Sequence, residues 1–69
     1  MLVMQVNING QSRDLPTGAT AADLIDLLGL GGKRLAMEIN EQLLPRSRYP
    51  DHQLRDGDTV EIVHAIGGG

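Results

Sequence analysis

Cysteine, tryptophan and phenylalanine are all missing from this 69-residue chain, and Tyr49 is its only aromatic residue. Without cysteine no disulfide holds a small domain together, so stability has to come from well-packed Leu, Ile, Val, Ala and Met. The same absence removes thiolate metal ligands and suits a reducing compartment. One aromatic ring is no stacking platform for bases. A formal net charge of −3 also lacks the clustered positive potential that displaces counterions from nucleic acid. No apolar stretch approaches the roughly 20 residues that span a bilayer. The start Met1-Leu2-Val3-Met4 has neither the charged leader nor the cleavage site of a signal peptide. These absences point to one small domain, residues 1–69, in the cytoplasm, with neither nucleic acid nor membrane as partner. An acidic surface suits instead a protein partner with a basic face, acting on encounter rate more than on affinity.

What is present alternates between strand and turn signals. Val3 to Ile8 has the period of two expected of a strand, and Asn9-Gly10 is a strong hairpin signal because both residues tolerate positive φ. Gln11 to Leu15 then pairs back, and Pro16-Thr17-Gly18 ends the pairing. A helix follows over Thr20 to Gly29, with Thr20 as N-cap and Asp23 in the capping-box position. Its apolar face is expected to carry Ala21, Leu24, Leu27 and Leu28, with Asp23 and Asp26 pointing away. Leu35 to Ile39 reads as a third strand, Asn40-Glu41 as a turn, and Gln42 to Leu44 as a short strand before Pro45. Arg46 to Gln53 reads as an irregular crossover, Arg55-Asp56-Gly57-Asp58 as a turn, and Thr59 to Ile66 as the last strand. Strand, strand, helix and returning strands fit an α+β fold, a mixed sheet packed on one main helix.

Most of the reactive residue types have a structural explanation. Gly29-Leu30-Gly31-Gly32 follows a helix, whereas a phosphate-cradling loop precedes one, so these glycines read as a C-cap and loop. His52 and His64, alone and without cysteine, make no metal site. Asp56-Gly57-Asp58 lacks the further oxygen ligands of a calcium loop. Ser12 and Ser47 have no base partner. Arg46, Arg48 and Arg55 read as solvated charges balancing Asp51, Asp56 and Asp58.

The end of the chain is different. Val60-Glu61-Ile62-Val63-His64-Ala65-Ile66 runs directly into Gly67-Gly68-Gly69. Glycine has no Cβ, so such a tail enters slots that larger residues would block, and three extended residues reach roughly 10 Å. The terminal carboxyl, with a reference pKa of about 3.5, is an anionic nucleophile at neutral pH. Taken alone, terminal glycines are also what a frayed end shows. If Val60 and Ile62 face the helix, Val63 lies on the outer face beside the tail. Val63, Ala65 and Ile66 are therefore the candidate contacts of the tail's root with an enzyme.

The stretch Glu38-Ile39-Asn40-Glu41-Gln42-Leu43-Leu44-Pro45-Arg46, then Tyr49, then Arg55-Asp56-Gly57-Asp58-Thr59-Val60-Glu61-Ile62-Val63 and the closing glycines, resembles the ThiS family, the sulfur carriers of thiamine biosynthesis. The resemblance covers the chain from Met4 onward and leaves residues 1–3 as an N-terminal extension. It implies a ubiquitin-like β-grasp fold with a flexible C-terminal glycine tail. It implies that a ThiF-like enzyme adenylates Gly69 with Mg-ATP, the carrier itself holding no cofactor. Sulfur mobilised by a cysteine desulfurase then converts the carboxylate to a thiocarboxylate, and a ThiG-like thiazole synthase receives it. On this reading the chain is a co-substrate, with no catalytic side chain and no metal. The sulfur carrier of molybdopterin synthesis, a ubiquitin-like modifier and a β-grasp binding module are the alternatives.

Overall fold

The computed structural model describes residues 2–64, with His64 described by its backbone only. Strand β1 (Val3–Ile8) turns Met4, Val6 and Ile8 into the core and Val3, Gln5 and Asn7 outward. The hairpin to β2 (Gln11–Pro16) closes through Asn9 at φ 51° and Gly10 at φ 86°, both in the left-handed region that the Asn-Gly pair was expected to occupy. Pairing continues one residue beyond expectation, to Val3 opposite Pro16, and the Thr17 N–H then donates to the Leu2 carbonyl at 3.1 Å. Proline is tolerated there because β2 is an edge strand and the ladder needs no further donor from it.

Helix α1 (Ala21–Leu27) starts as its sequence indicates. Thr20 Oγ1 accepts from the Asp23 N–H at 3.1 Å, and Asp23 Oδ2 accepts from the Thr20 N–H at 2.9 Å. The Ala21 and Ala22 amides, which have no partner inside the helix, donate to the carbonyls of His52 and Tyr49. The far end is a Schellman motif: Gly29, at φ 72°, donates to the Asp26 carbonyl, and Leu30 to that of Ile25. The glycine loop is thus a C-cap.

The buried face of the helix differs from expectation at one position. Ala21, Leu24 and Ile25 are buried and Leu28 packs partly against them, whereas Leu27 is 59% exposed. At about 100° per residue, Ala21, Leu24, Ile25 and Leu28 fall within an arc of about 100°, and Leu27 lies about 60° beyond its edge. Leu27 therefore shares the outer side with Asp23 and Asp26.

The remaining strands are β3 (Leu35–Ile39), β4 (Gln42–Leu44) and β5 (Thr59–His64). The sheet order is β2-β1-β5-β3-β4, with β5 parallel to β1 and antiparallel to β3. A second left-handed turn, Asn40 at φ 51° and Glu41 at φ 69°, joins β3 to β4. The crossover from Arg46 contains a short 3₁₀ turn (Arg46–Arg48), and Tyr49 and Leu54 are buried in the same core cluster as Met37, Val60 and the inner face of the helix.

Burial raises the Tyr49 phenol above its ordinary pKa of 10.0, and the nearby Arg46 charge partly opposes that shift. Above about pH 10 the unfolded chain releases the phenolic proton while the folded chain retains it, so stability falls as pH rises through that range. Urea midpoints measured between about pH 9 and 11 should fall more steeply for the wild type than for Tyr49→Phe; parallel profiles would disprove the linkage. The helix face is checked separately. Leu24→Ala should cost about 2–5 kcal/mol and Leu27→Ala at most about 0.5 kcal/mol, both by urea denaturation.

Candidate functional site

The candidate site is the outgoing end of β5, and its geometry is determined by the strands on either side. Val60 and Ile62 point into the core, 0% and 6% exposed, and Glu61 and Val63 alternate outward. Val63 is 68% exposed, as its place on the outer face required. It lies opposite Ala36 of β3, and Leu43 of β4 is similarly open at 67%. Between these apolar residues Glu61 pairs directly with Glu38. Like charges directly opposite one another on a sheet repel, a local cost that a cation from outside would relieve. Ala65, Ile66, Gly67, Gly68 and Gly69 lie outside the described residues.

Both ends of β5 are held by asparagines from the two left-handed turns. At the start, the Asn40 N–H donates to the Thr59 carbonyl at 2.8 Å, and Asn40 Oδ1 accepts from the Thr59 N–H at 3.0 Å. Asn40 Nδ2 also donates to Asp58 Oδ1. Toward the other end, the Asn9 N–H donates to the Val60 carbonyl at 2.9 Å. Asn9 Oδ1 accepts from the Ile62 N–H at 2.8 Å, and Asn9 Nδ2 donates to the Ile62 carbonyl at 3.1 Å. Sequence reading assigned both asparagines to turns only. Their signal was the repeated left-handed Asn, but which backbone each amide would meet depends on long-range pairing.

The acidic turn feeds β5 from the other side. Asp58 N–H donates to the Arg55 carbonyl, Asp58 Oδ2 accepts from the Arg55 N–H, and Gly57 sits at φ 87°. Gly57 N–H reaches the Gln5 carbonyl at 2.8 Å, and Asp56 Oδ1 accepts from the Gln5 N–H at 2.8 Å. Asp56 and Asp58 therefore serve backbone amides, and Arg46, Arg48 and Arg55 are exposed. A cavity of about 810 Å³ opens beside Asn40, Arg48, His52 and Asp58 at the start of β5. That is the opposite end of the strand from the tail. Among the described residues no three His, Cys, Asp or Glu side chains are grouped as metal ligands would be, and no helix is long and apolar enough to cross a membrane.

Two hairpins joined by a central strand that runs parallel to β1, with one helix across the sheet, form the ubiquitin-like β-grasp arrangement. The crystal structure of the thiamine biosynthesis protein ThiS from Geobacter metallireducens superposes with a TM-score of 0.80 at 25% identity, over 96% of this chain and all of that one (100%). Residues 6–69 match the model of the ThiS family. The sulfur carrier protein ThiS of Escherichia coli K12 is 32% identical over 66 residues, 96% of this chain and 100% of its own length. The thiazole synthase of Paramagnetospirillum magneticum is 38% identical over 66 residues. This chain covers 96% of itself in that match but spans only 20% of that longer protein. The chain belongs to the ThiS family.

Proposed function

We propose that this chain carries sulfur as a C-terminal thiocarboxylate for thiazole formation, with Gly69 as the modified residue. The observation that carries the reading is a family match that runs through residue 69 and so takes in the closing glycines. A carboxylate is a poor acyl donor because its leaving group would be oxide. Its oxygen first attacks the α-phosphorus of Mg-ATP on a ThiF-like enzyme, and pyrophosphate leaves. A desulfurase draws sulfur from cysteine as a persulfide, a thiol reduces it and is itself oxidised to a disulfide, and the sulfide equivalent so released attacks the acyl carbon. AMP departs with one of the former carboxyl oxygens, and the thiocarboxylate remains. Tethering the sulfur to a carrier raises its local concentration at the recipient site.

The chain contributes the acyl group and a docking surface, and its partners supply ATP, metal and catalytic side chains. Val63, with Ala65 and Ile66 as the tail's root, engages the activating enzyme. The facing Glu38 and Glu61 favour a partner with a basic face. A ThiG-like thiazole synthase is the recipient. Support comes from the thiazole synthases of Paramagnetospirillum magneticum and Magnetococcus marinus, each of which contains, within a longer chain, a stretch similar to nearly all of this one.

Incubation with the activating enzyme, Mg-ATP, a desulfurase and cysteine should shift the intact mass by the difference between sulfur and oxygen, localised to Gly69. Deletion of Gly69 should abolish the shift and leave the melting temperature unchanged. Sulfur gain by the truncated chain, or none by the wild type where a known carrier is modified, would refute the reading. Val63→Asp should raise the KM for the carrier about tenfold, the ~1.4 kcal/mol of one buried apolar contact. Its stability should hold, because the residue is exposed.

A further inference from the structure

Backbone pairing between β1 and β5 ends at Ile8 opposite Val60, where β1 turns away into its hairpin. The ladder nevertheless gains another rung. Asn9 presents a side-chain amide, one acceptor and one donor, to both backbone groups of Ile62, at 2.8 and 3.1 Å. The amide acts as a substitute peptide unit. It holds β5 on the β1 side at the point where Val63 and His64 remain paired to Ala36 and Leu35 of β3. The side chain is fixed in turn by its own backbone, since φ 51° at Asn9 and the 2.9 Å bond to the Val60 carbonyl orient it across the gap.

From this we infer that Asn9 is a positioning residue for the carrier's tail: its amide supplies the hold on the β1 side that, together with the β3 pairing of Val63 and His64, sets the direction of the end of β5. The inference rests on the sulfur-carrier reading above. Docking through the exposed sheet face does not require the clasp, but entry of the tail into a narrow slot does. A strand end released from β1 samples more directions, and a smaller fraction of docked complexes places the terminal carboxylate at the reacting phosphorus. The effect falls on turnover and not on docking.

Asn9→Gly is the informative variant, because glycine keeps the left-handed turn and removes only the amide. Strand backbone groups alternate sides, so the Ile62 N–H faces Asn9 and those of Glu61 and Val63 face β3. Hydrogen exchange in Asn9→Gly should quicken at Ile62 by about tenfold, with Glu61 and Val63 little changed. In the thiocarboxylation assay kcat should fall about tenfold, with KM within about twofold. Asn9→Asp keeps the acceptor and loses the donor, so it should fall between wild type and Asn9→Gly in both readouts. If Asn9→Gly does not fold, Asn9→Asp carries the comparison at reduced size. Unchanged Ile62 exchange, or an opened clasp with undiminished kcat, would overturn the inference. A wild-type chain that gains no sulfur would defeat the carrier reading and this role with it, whereas a modified wild type with unaffected variants would defeat this role alone.

Discussion

The insertion of β5 between β1 and β3 is the interaction on which the rest of the structure depends. Each flanking pair is a local hairpin, β1 with β2 and β3 with β4, and a two-stranded hairpin is marginal in water on its own. β5 joins them, and Val60 and Ile62 supply the middle of the core. The bonds that secure it are long-range: Asp56 to Gln5 spans 51 residues and Asn9 to Ile62 spans 53. Closing so large a loop costs entropy before any contact is made. It explains why polar side chains are concentrated at the strand's ends, where the backbone ladder alone would fray.

The helix depends on the same insertion. Seven residues are too few to be helical in isolation. Its stability comes from the packing of Ala21, Leu24 and Ile25 in the core and from N-terminal amides that all have acceptors. The crossover before β5 supplies two of those bonds, from the carbonyls of Tyr49 and His52, and Leu54 N–H returns one to Ala19. A segment that looks irregular in sequence is thus a clip that joins the start of the helix to the approach of β5.

Much of this was legible beforehand because the signals are local. The left-handed Asn9-Gly10 turn, the place of the turn at Asn40-Glu41, the capping box at Thr20 and Asp23, the glycine C-cap and the alternation of Val60 with Val63 follow from residue chemistry within a few positions. Leu27 was misplaced because several leucines at helical spacing fit more than one stripe, and only the sheet beneath selects which stripe is buried. The clasps of Asn9 and Asn40 escaped notice for a related reason. An asparagine in a turn has its local role explained already, and nothing nearby in sequence indicates that its amide meets a strand dozens of residues away. Asp56 and Asp58 were read as charges among charges, yet they serve as backbone acceptors, a role that depends on where Gln5 lies.

On the proposed reading the chain has to satisfy two opposed demands at one place. The body must be rigid enough for a partner to recognise, while the reacting end must be thin enough to enter a site that excludes water. Cooperative strand pairing serves the first demand and glycine the second, so the design problem is the boundary between them. In this chain β5 stays paired to β3 through His64, while its last bond on the β1 side falls at Ile62. That residue is buried, bonded through both backbone groups to one side chain, and followed by an exposed valine that is free to meet a partner. A side-chain amide is well suited to that point, because it adds one rung on the β1 side without extending β1 itself.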